Sequence, residues 1–119
     1  MTRWRWNLAS LALGPVCLGL LTPPALVAVE AAPAHAQETL AYVRKHGFPP
    51  AGYMGGKVFG NYEGRLPRYN ARRKRIEYRE WDVRPKAAGK VRSHERLITG
   101  SDGRAYYTPD HGRTFVEIR

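Results

Sequence analysis

The chain has 119 residues, a length that accommodates one domain. It carries 20 lysines and arginines against 10 acidic residues, a formal net charge of +10 that favours nucleic acid or an anionic membrane surface as a partner. With 43% hydrophobic residues, the chain has enough apolar material for a small core and is not wholly disordered. Its single cysteine, Cys17, excludes an intrachain disulfide and a cysteine-based zinc site.

The N-terminal segment has the pattern of a secretory signal peptide. Two arginines precede an apolar stretch, and an Ala-His-Ala sequence ending at Ala36 provides a cleavage pattern. We therefore predict a signal peptide over 1–36 and a secreted, extracellular domain over 37–119. The alternative is an uncleaved membrane anchor over 8–29, which is long enough to span a bilayer although prolines interrupt it.

The remaining chain predicts one helix followed by an antiparallel sheet. Segment 38–46 is typical of a short helix, because its last turn is basic and a glycine and two prolines follow it. Segment 57–59 is expected to pair briefly. Stronger strands are predicted over 75–83, 92–99, 104–108 and 113–118. Short turns between strands indicate a meander, so we predict an α+β fold in which a short N-terminal helix packs on a small antiparallel β-sheet without a disulfide.

Alternation along the strands predicts which side chains share a face. Tyr78 and Glu80 fall on one face of the first strong strand, and Trp81 falls on the other, where we expect it to be core. Tyr106 and Tyr107 alternate in the same way. We expect one of these two tyrosines in the core and the other at a substrate cleft.

Cleavage of RNA without a metal requires a small set of side chains. A base takes the proton of the ribose 2′-OH, an acid protonates the departing 5′-oxygen, and cationic groups hold the phosphoryl oxygens. Glu80, Arg92, Arg96 and His111 could supply this set. A strand glutamate near arginines is also typical of a cross-strand ion pair, and a lone histidine is usually structural or exposed.

Four blocks in a fixed order identify a family. They read VFGNYEGRLP over 58–67, YREWDV over 78–83, VRSHERLITG over 91–100 and YYTPDHGRTF over 106–115. The chain resembles the barnase-like family, the small secreted guanyl-preferring bacterial ribonucleases, over residues 38–119. It departs from that family at Gly112, where the residue after the acid histidine is usually tyrosine.

The resemblance implies a hydrolase, a metal-independent endoribonuclease that needs no cofactor. Such an enzyme cleaves single-stranded RNA 3′ of guanosine through a 2′,3′-cyclic phosphate, which it then hydrolyses. The resemblance assigns Glu80 as the general base and His111 as the general acid, with the two roles exchanged in the second step. Arg92 and Arg96 match the arginines that stabilise the transition state.

The resemblance also implies a guanine-binding loop. Glu63 would accept hydrogen bonds from guanine N1–H and from its exocyclic amine, a pair of neighbouring donors that one carboxylate can satisfy. Phe59 would stack on the base. The backbone N–H groups of Gly60, Asn61 and Tyr62 would bind guanine O6.

The expected partners are single-stranded RNA and a barstar-like protein inhibitor that protects the producing cell. We expect a monomer with no stable membrane partner once the signal peptide is removed. The alternative function is a non-catalytic or weakly catalytic cationic protein on the same fold that binds RNA or acts on membranes, because charge-driven binding needs neither Glu80 nor His111. Nutrient scavenging and toxicity to competing cells both remain open as biological roles.

Overall fold

The computed structural model describes residues 31–119, which form one helix and a five-stranded antiparallel sheet. The helix, α1, spans Ala34–His46, and the strands are β1 Gly55–Phe59, β2 Tyr78–Asp82, β3 Arg96–Gly100, β4 Ala105–Thr108 and β5 Val116–Ile118. Strands adjacent in the sequence are adjacent in the sheet, in the order β1-β2-β3-β4-β5. The predicted α+β meander is therefore confirmed. Within residues 31–119 no helix is both long and apolar enough to cross a bilayer.

Helix α1 begins four residues before the predicted start. Pro33 precedes it in an extended conformation, and its first turn contains the whole Ala-His-Ala cleavage pattern over 34–36. The helix buries an apolar stripe made of Ala36, Leu40 and Val43. Ala32, which precedes the helix, is buried in the same cluster. The predicted boundary after Ala36 thus lies inside the helix, whereas most of the predicted signal peptide falls on residues outside 31–119.

The sheet separates two apolar clusters. The cluster beneath α1 combines the helix stripe with Trp81, Val83, Leu97, Ala105 and Tyr107. The cluster on the opposite face contains Leu66, Ile76, Tyr78, Ile98 and Tyr106, with Phe59 and Phe115 packed against it. The predicted core position of Trp81 is confirmed. Tyr106 and Tyr107 do lie on opposite faces, but both are buried because each face carries its own cluster.

Three strands begin at least three residues later than predicted, since β2 begins at Tyr78 and not at residue 75, and β3 and β5 are also shortened. At β3 and β5, polar side chains bond the residues that precede the strand. Strand β3 begins at Arg96 and not at residue 92, since the Ser93 hydroxyl accepts the backbone N–H of Glu95 at 3.1 Å. Strand β5 begins at Val116 and not at residue 113. In both places an ordered turn replaces the first residues of the predicted strand, and both turns lie beside the candidate catalytic residues.

The carboxylate of Glu95 ties the first turn of α1 to the sheet. It accepts hydrogen bonds from the Tyr107 hydroxyl at 2.6 Å and the Ser93 hydroxyl at 3.1 Å. Its Oε1 also lies 2.7 Å from His35 Nε2, and Arg84 pairs with Oε2. Burial alone would raise the pKa of Glu95, but hydrogen bonds from these four residues outweigh it and lower the pKa to about 2.

Replacing Glu95 with glutamine should therefore destabilise the protein most near neutral pH. The folded state holds the pKa of Glu95 below its ordinary value of 4.5, so the ionised carboxylate contributes stability above pH 4.5 that is lost as the pH falls towards 2. Thermal unfolding should show a Tm deficit of several degrees for Glu95→Gln at pH 6 that narrows towards pH 2. Glu38→Gln, at an exposed position of α1, is the matched control. A deficit independent of pH would contradict the prediction.

Candidate active site

A cleft of about 320 Å³ collects most of the predicted site residues. It lies on the face of the sheet opposite α1. Seven of the predicted residues line it, namely Phe59, Gly60, Asn61, Tyr62, Glu63, Glu80 and His111. Neither Tyr106 nor Tyr107 lines it, so the expectation that one of them faces the cleft is wrong. The cleft joins the loop after β1, the middle of β2 and the turn after β4.

Glu80 lies in the middle of β2, opposite Lys57 of β1 and Ile98 of β3. Its neighbours on the same face, Tyr78 and Asp82, are 2% and 4% exposed, whereas Glu80 is half-buried and faces the cleft. No ion pair among residues 31–119 includes Glu80, which argues against the cross-strand ion pair. Its carboxylate is positioned by the sheet and open to the cleft, as a general base requires.

Lys57 is a cleft residue that the sequence analysis missed. It lines the same cleft as Glu80, and in the sheet register its backbone lies opposite that of Glu80 on the neighbouring strand. The predicted pairing of 57–59 was correct, but the register that sets this lysine opposite the glutamate depends on a β-bulge between Gly55 and Lys57. The Gly55-Gly56 pair is a sequence signal for a bulge here, but it does not fix the register.

His111 occupies a backbone conformation that few non-glycine residues adopt. Its φ is 60°, and Gly112 follows with a φ of 87°. The left-handed region costs a non-glycine residue about 1–2 kcal/mol. Glycine is the residue that best tolerates the second left-handed position, so the departure from the family at Gly112 fits the shape of this turn.

Asp110 holds the turn that carries His111. Its Oδ1 accepts the Thr114 backbone N–H at 2.8 Å and the Thr108 hydroxyl at 2.9 Å, and its Oδ2 accepts the Thr114 hydroxyl at 2.7 Å. Hydrogen bonds from Thr114, and then from Thr108, lower the pKa of Asp110 to about 2. The Gly112 N–H donates to Thr108 Oγ1 at 2.8 Å. Asp110 therefore orders the turn that carries His111.

Arg92 and Arg96 line a second cleft, of about 420 Å³, which also includes His111. Arg92 precedes β3, and Arg96 is its first residue, so the two do not share a strand as the sequence predicted. His111 is common to both clefts. The structure thus places the predicted arginines beside the predicted acid, and the base lies in the adjoining cleft.

Asp82 belongs to the candidate site through its contacts with Arg92 and Arg96, and no sequence motif had singled it out. Arg92 Nε donates to its Oδ2 at 3.0 Å and Arg92 Nη2 pairs with Oδ1, while Arg96 Nε lies 3.4 Å from Oδ1. The hydrogen bond from Arg92 to Asp82 raises the pKa of that guanidinium. Asp82 is 4% exposed, and its two cationic partners compensate the burial of its charge. Its position two residues after Glu80, on the same face, was the available sequence signal.

Two side-chain contacts shape the guanine loop predicted after β1. Asn61 is buried. Its Oδ1 accepts a hydrogen bond from the Leu66 backbone N–H at 3.1 Å, and its Nδ2 donates one to the Leu66 backbone oxygen at 2.8 Å. Glu63 is exposed and pairs with Arg65, which also donates to the backbone oxygen of Gly112 at 2.9 Å. Arg65, which the sequence analysis missed, therefore connects the predicted guanine loop to the turn that carries His111.

The aromatic residues of this loop have different surroundings. Phe59 is half-buried and meets Phe115 and Tyr78 edge to face, at ring-centroid distances of 6.3 and 6.5 Å. Tyr62 is 89% exposed, and its ring lies over Gly60, where a Cβ would come within 2.3 Å of Tyr62 Cζ. A side chain at Gly60 would therefore have to displace the exposed Tyr62 ring.

The two clefts combine proton-transfer groups with fixed cations. Glu80 and His111 can accept and donate protons, and Arg92 and Arg96 can hold an anion beside them. A further cleft of about 420 Å³ near Arg75 contains none of these four residues and is not a candidate. Among residues 31–119, the histidine, cysteine, aspartate and glutamate side chains form no group of three or more that could hold a metal ion.

Known proteins similar to this chain are ribonucleases. Residues 24–119 match the ribonuclease family. Ribonucleases of Heyndrickxia coagulans and Bacillus intermedius are each 40% identical to this chain over 70 residues, which are 59% of this chain. The match spans 59% of the length of the Heyndrickxia coagulans protein and 40% of the length of the Bacillus intermedius protein.

Two solved structures of ribonuclease Sa2 are also similar. The complex with guanosine-2′-cyclophosphate is 39% identical to this chain, with a TM-score of 0.52. The match covers 73% of this chain and 86% of the Sa2 chain. A structure from a series of complexes with mononucleotides is 35% identical with a TM-score of 0.53 and covers 73% and 84%. Because the family match includes all of the described residues and both clefts, this chain belongs to the ribonuclease family.

Proposed function

We propose that this ribonuclease is a guanyl-preferring endoribonuclease that cleaves single-stranded RNA 3′ of guanosine without a metal or other cofactor. The observation that carries the proposal is the shared cleft, in which Glu80 and His111 lie together with the loop over 59–63. The similar Sa2 structure in complex with guanosine-2′-cyclophosphate supports the same base and the same kind of intermediate.

In the first step the ribose 2′-oxygen attacks the adjacent phosphorus. Glu80 accepts the proton of the 2′-OH, and His111 protonates the 5′-oxygen as its bond to phosphorus breaks. Arg92 and Arg96 hold the phosphoryl oxygens while negative charge develops. Because Asp82 fixes both guanidinium groups beforehand, little reorganisation is needed during the reaction.

In the second step water opens the 2′,3′-cyclic phosphate. His111, now neutral, accepts a proton from the water, and Glu80, now protonated, returns a proton to the 2′-oxygen. The product is a 3′-phosphate on guanosine, and both side chains regain their starting protonation states. The exchange works because each group has been left by the first step in the state that the second step requires.

Guanine would replace Arg65 as the partner of Glu63. The Glu63–Arg65 pair is exposed, with side-chain exposures of 68% and 45%. Exposed ion pairs contribute only about 0–1 kcal/mol, so two parallel donors from the base can displace the arginine. The other bases lack these two adjacent donors, which accounts for the preference.

The test is cleavage of a defined RNA in EDTA, with Glu80→Gln and His111→Ala compared with the wild type. The wild-type protein should cleave, and each variant should lower kcat by roughly 10²-fold or more while KM changes little, because each removes a proton-transfer group. Glu38→Gln and His46→Ala carry matched changes at exposed positions of α1 and should leave the rate unchanged.

The same experiment distinguishes the proposed function from the alternative function. Cleavage that EDTA abolishes and a divalent metal restores would overturn the metal-independent mechanism. Variants as active as the wild type would contradict the assigned base and acid. RNA binding without cleavage by the wild type would instead support the non-catalytic or weakly catalytic cationic protein.

Replacing Glu63 with alanine should remove the preference for guanine and leave the fold intact, because its side chain is largely exposed. The ratio of kcat/KM for GpA to that for ApA should fall towards one, since no other carboxylate in the loop over 59–66 can accept both guanine donors. Glu77→Ala, an exposed glutamate next to β2, is the control. An unchanged ratio would show that this loop does not recognise the base.

We also propose export, supported by the signal-peptide pattern, with cleavage upstream of Ala32. Cleavage after Ala36 would remove two buried alanines of the core and His35, which contacts Glu95 at 2.7 Å. A monomer and a barstar-like inhibitor acting before export are part of the same proposal.

The intact mass of the product released from a secreting bacterial host should correspond to a chain that retains Ala32. A product that begins at Gln37 would contradict the upstream cleavage. Uncleaved protein in the membrane fraction would instead support the membrane anchor.

A further inference from the structure

His94 is in direct contact with the predicted acid. Its ring meets the ring of His111 edge to face, with the centroids 5.9 Å apart and the planes at 87°. Its backbone oxygen accepts the His111 N–H at 2.9 Å. The side chain of His94 is itself exposed. It therefore presents an aromatic surface beside the group that protonates the leaving oxygen.

The two imidazoles form a corner of the second cleft. Its cations are Lys86, Lys90, Arg92 and Arg96. His111 also lines the first cleft, which holds Glu80 and the guanine loop. If the guanosine occupies the first cleft and His111 protonates the 5′-oxygen, the RNA chain attached to that oxygen continues past His111 into the second cleft.

Resting on the function proposed above, we propose that His94 is a binding residue for the leaving nucleoside, the one on the 3′ side of the scissile phosphate, whose base it stacks against. The chemistry of the cleft matches that ligand, because a nucleotide combines a flat base with an anionic phosphate. Gly112 has no side chain to offer the leaving base. His94 supplies an aromatic ring from the neighbouring loop instead.

A leaving-group site affects the first step of the reaction and not the second. The first step expels a nucleoside, whereas guanosine 2′,3′-cyclic phosphate carries no nucleoside on the 3′ side of its phosphate, so its hydrolysis expels none. A residue that acts only by positioning His111 would affect both steps, because His111 takes part in both. The two substrates therefore separate binding of the leaving nucleoside from positioning of the acid.

The experiment compares His94→Ala and His94→Phe on GpA and on guanosine 2′,3′-cyclic phosphate. His94→Ala should lower kcat/KM for GpA by roughly 5- to 100-fold, the range expected for loss of one base–aromatic stack. Its hydrolysis of the cyclic phosphate should change by less than about twofold. His94→Phe should retain most activity on GpA, because it preserves an aromatic face. His46→Ala, on α1, is the matched control and should affect neither substrate.

Each outcome has a defined meaning. Equal losses on the two substrates, or no loss on either, would overturn the leaving-nucleoside site while the proposed function stands. Failure of His94→Phe to retain activity on GpA would overturn the stacking role, provided that its thermal unfolding matches that of the wild type. A wild-type protein that cleaves neither substrate would overturn the proposed function and this site together.

Discussion

The buried carboxylate of Asp82 is the constraint on which the proposed phosphate-binding part of the site depends. Two arginines lie beside His111, and without a counter-charge their mutual repulsion would push them apart. Asp82 lies on β2, and Arg96 begins β3 directly opposite it in the register. The pairing of two strands therefore places an anion where it can hold both guanidinium groups. The fold supplies a fixed cationic surface through a contact that involves no substrate.

The turn that carries His111, the proposed acid, is held by a different set of contacts. His111 lies in the left-handed region, and its own side chain does not hold it there. Asp110 bonds to both ends of the turn, the Thr108 hydroxyl accepts the Gly112 N–H, and Arg65 donates to the Gly112 oxygen. These bonds compensate a conformation that would otherwise be unfavourable. The outcome is an exposed imidazole on a backbone that is fixed from three sides.

The sequence was most informative where the physics is local. Alternation along β2 correctly placed Glu80 and Trp81 on opposite faces of the sheet, and the turn signals predicted the order of the strands. The start of α1 was wrong because the Ala-His-Ala pattern that resembles a cleavage site is also a good helix-forming sequence. Ala36 is buried against the sheet, and this non-local contact accompanies the extension of the helix beyond its predicted start.

The parts of the site that sequence could not supply all depend on distant pairing. Lys57 lies opposite Glu80 only because of a bulge in β1, and Arg65 reaches Gly112 only because the guanine loop and the acid turn approach each other. The start of β3 was misplaced for a related reason. Polar side chains on 92–95 bond locally and to Asp82, so the strand-like composition of that segment does not lead to strand pairing.

The distribution of charge among the acidic residues separates their roles. Asp82 pairs with two arginines, Glu95 with Arg84 and His35, and Glu63 with Arg65. Glu80 takes part in none of the ion pairs formed among residues 31–119. A carboxylate already engaged by a cation is a poor proton acceptor, because protonation would break that pair. Asp82 and Glu95 therefore suit structural roles, Glu63 suits an exchangeable contact, and Glu80 is the acidic residue at the cleft that can accept a proton without breaking an ion pair.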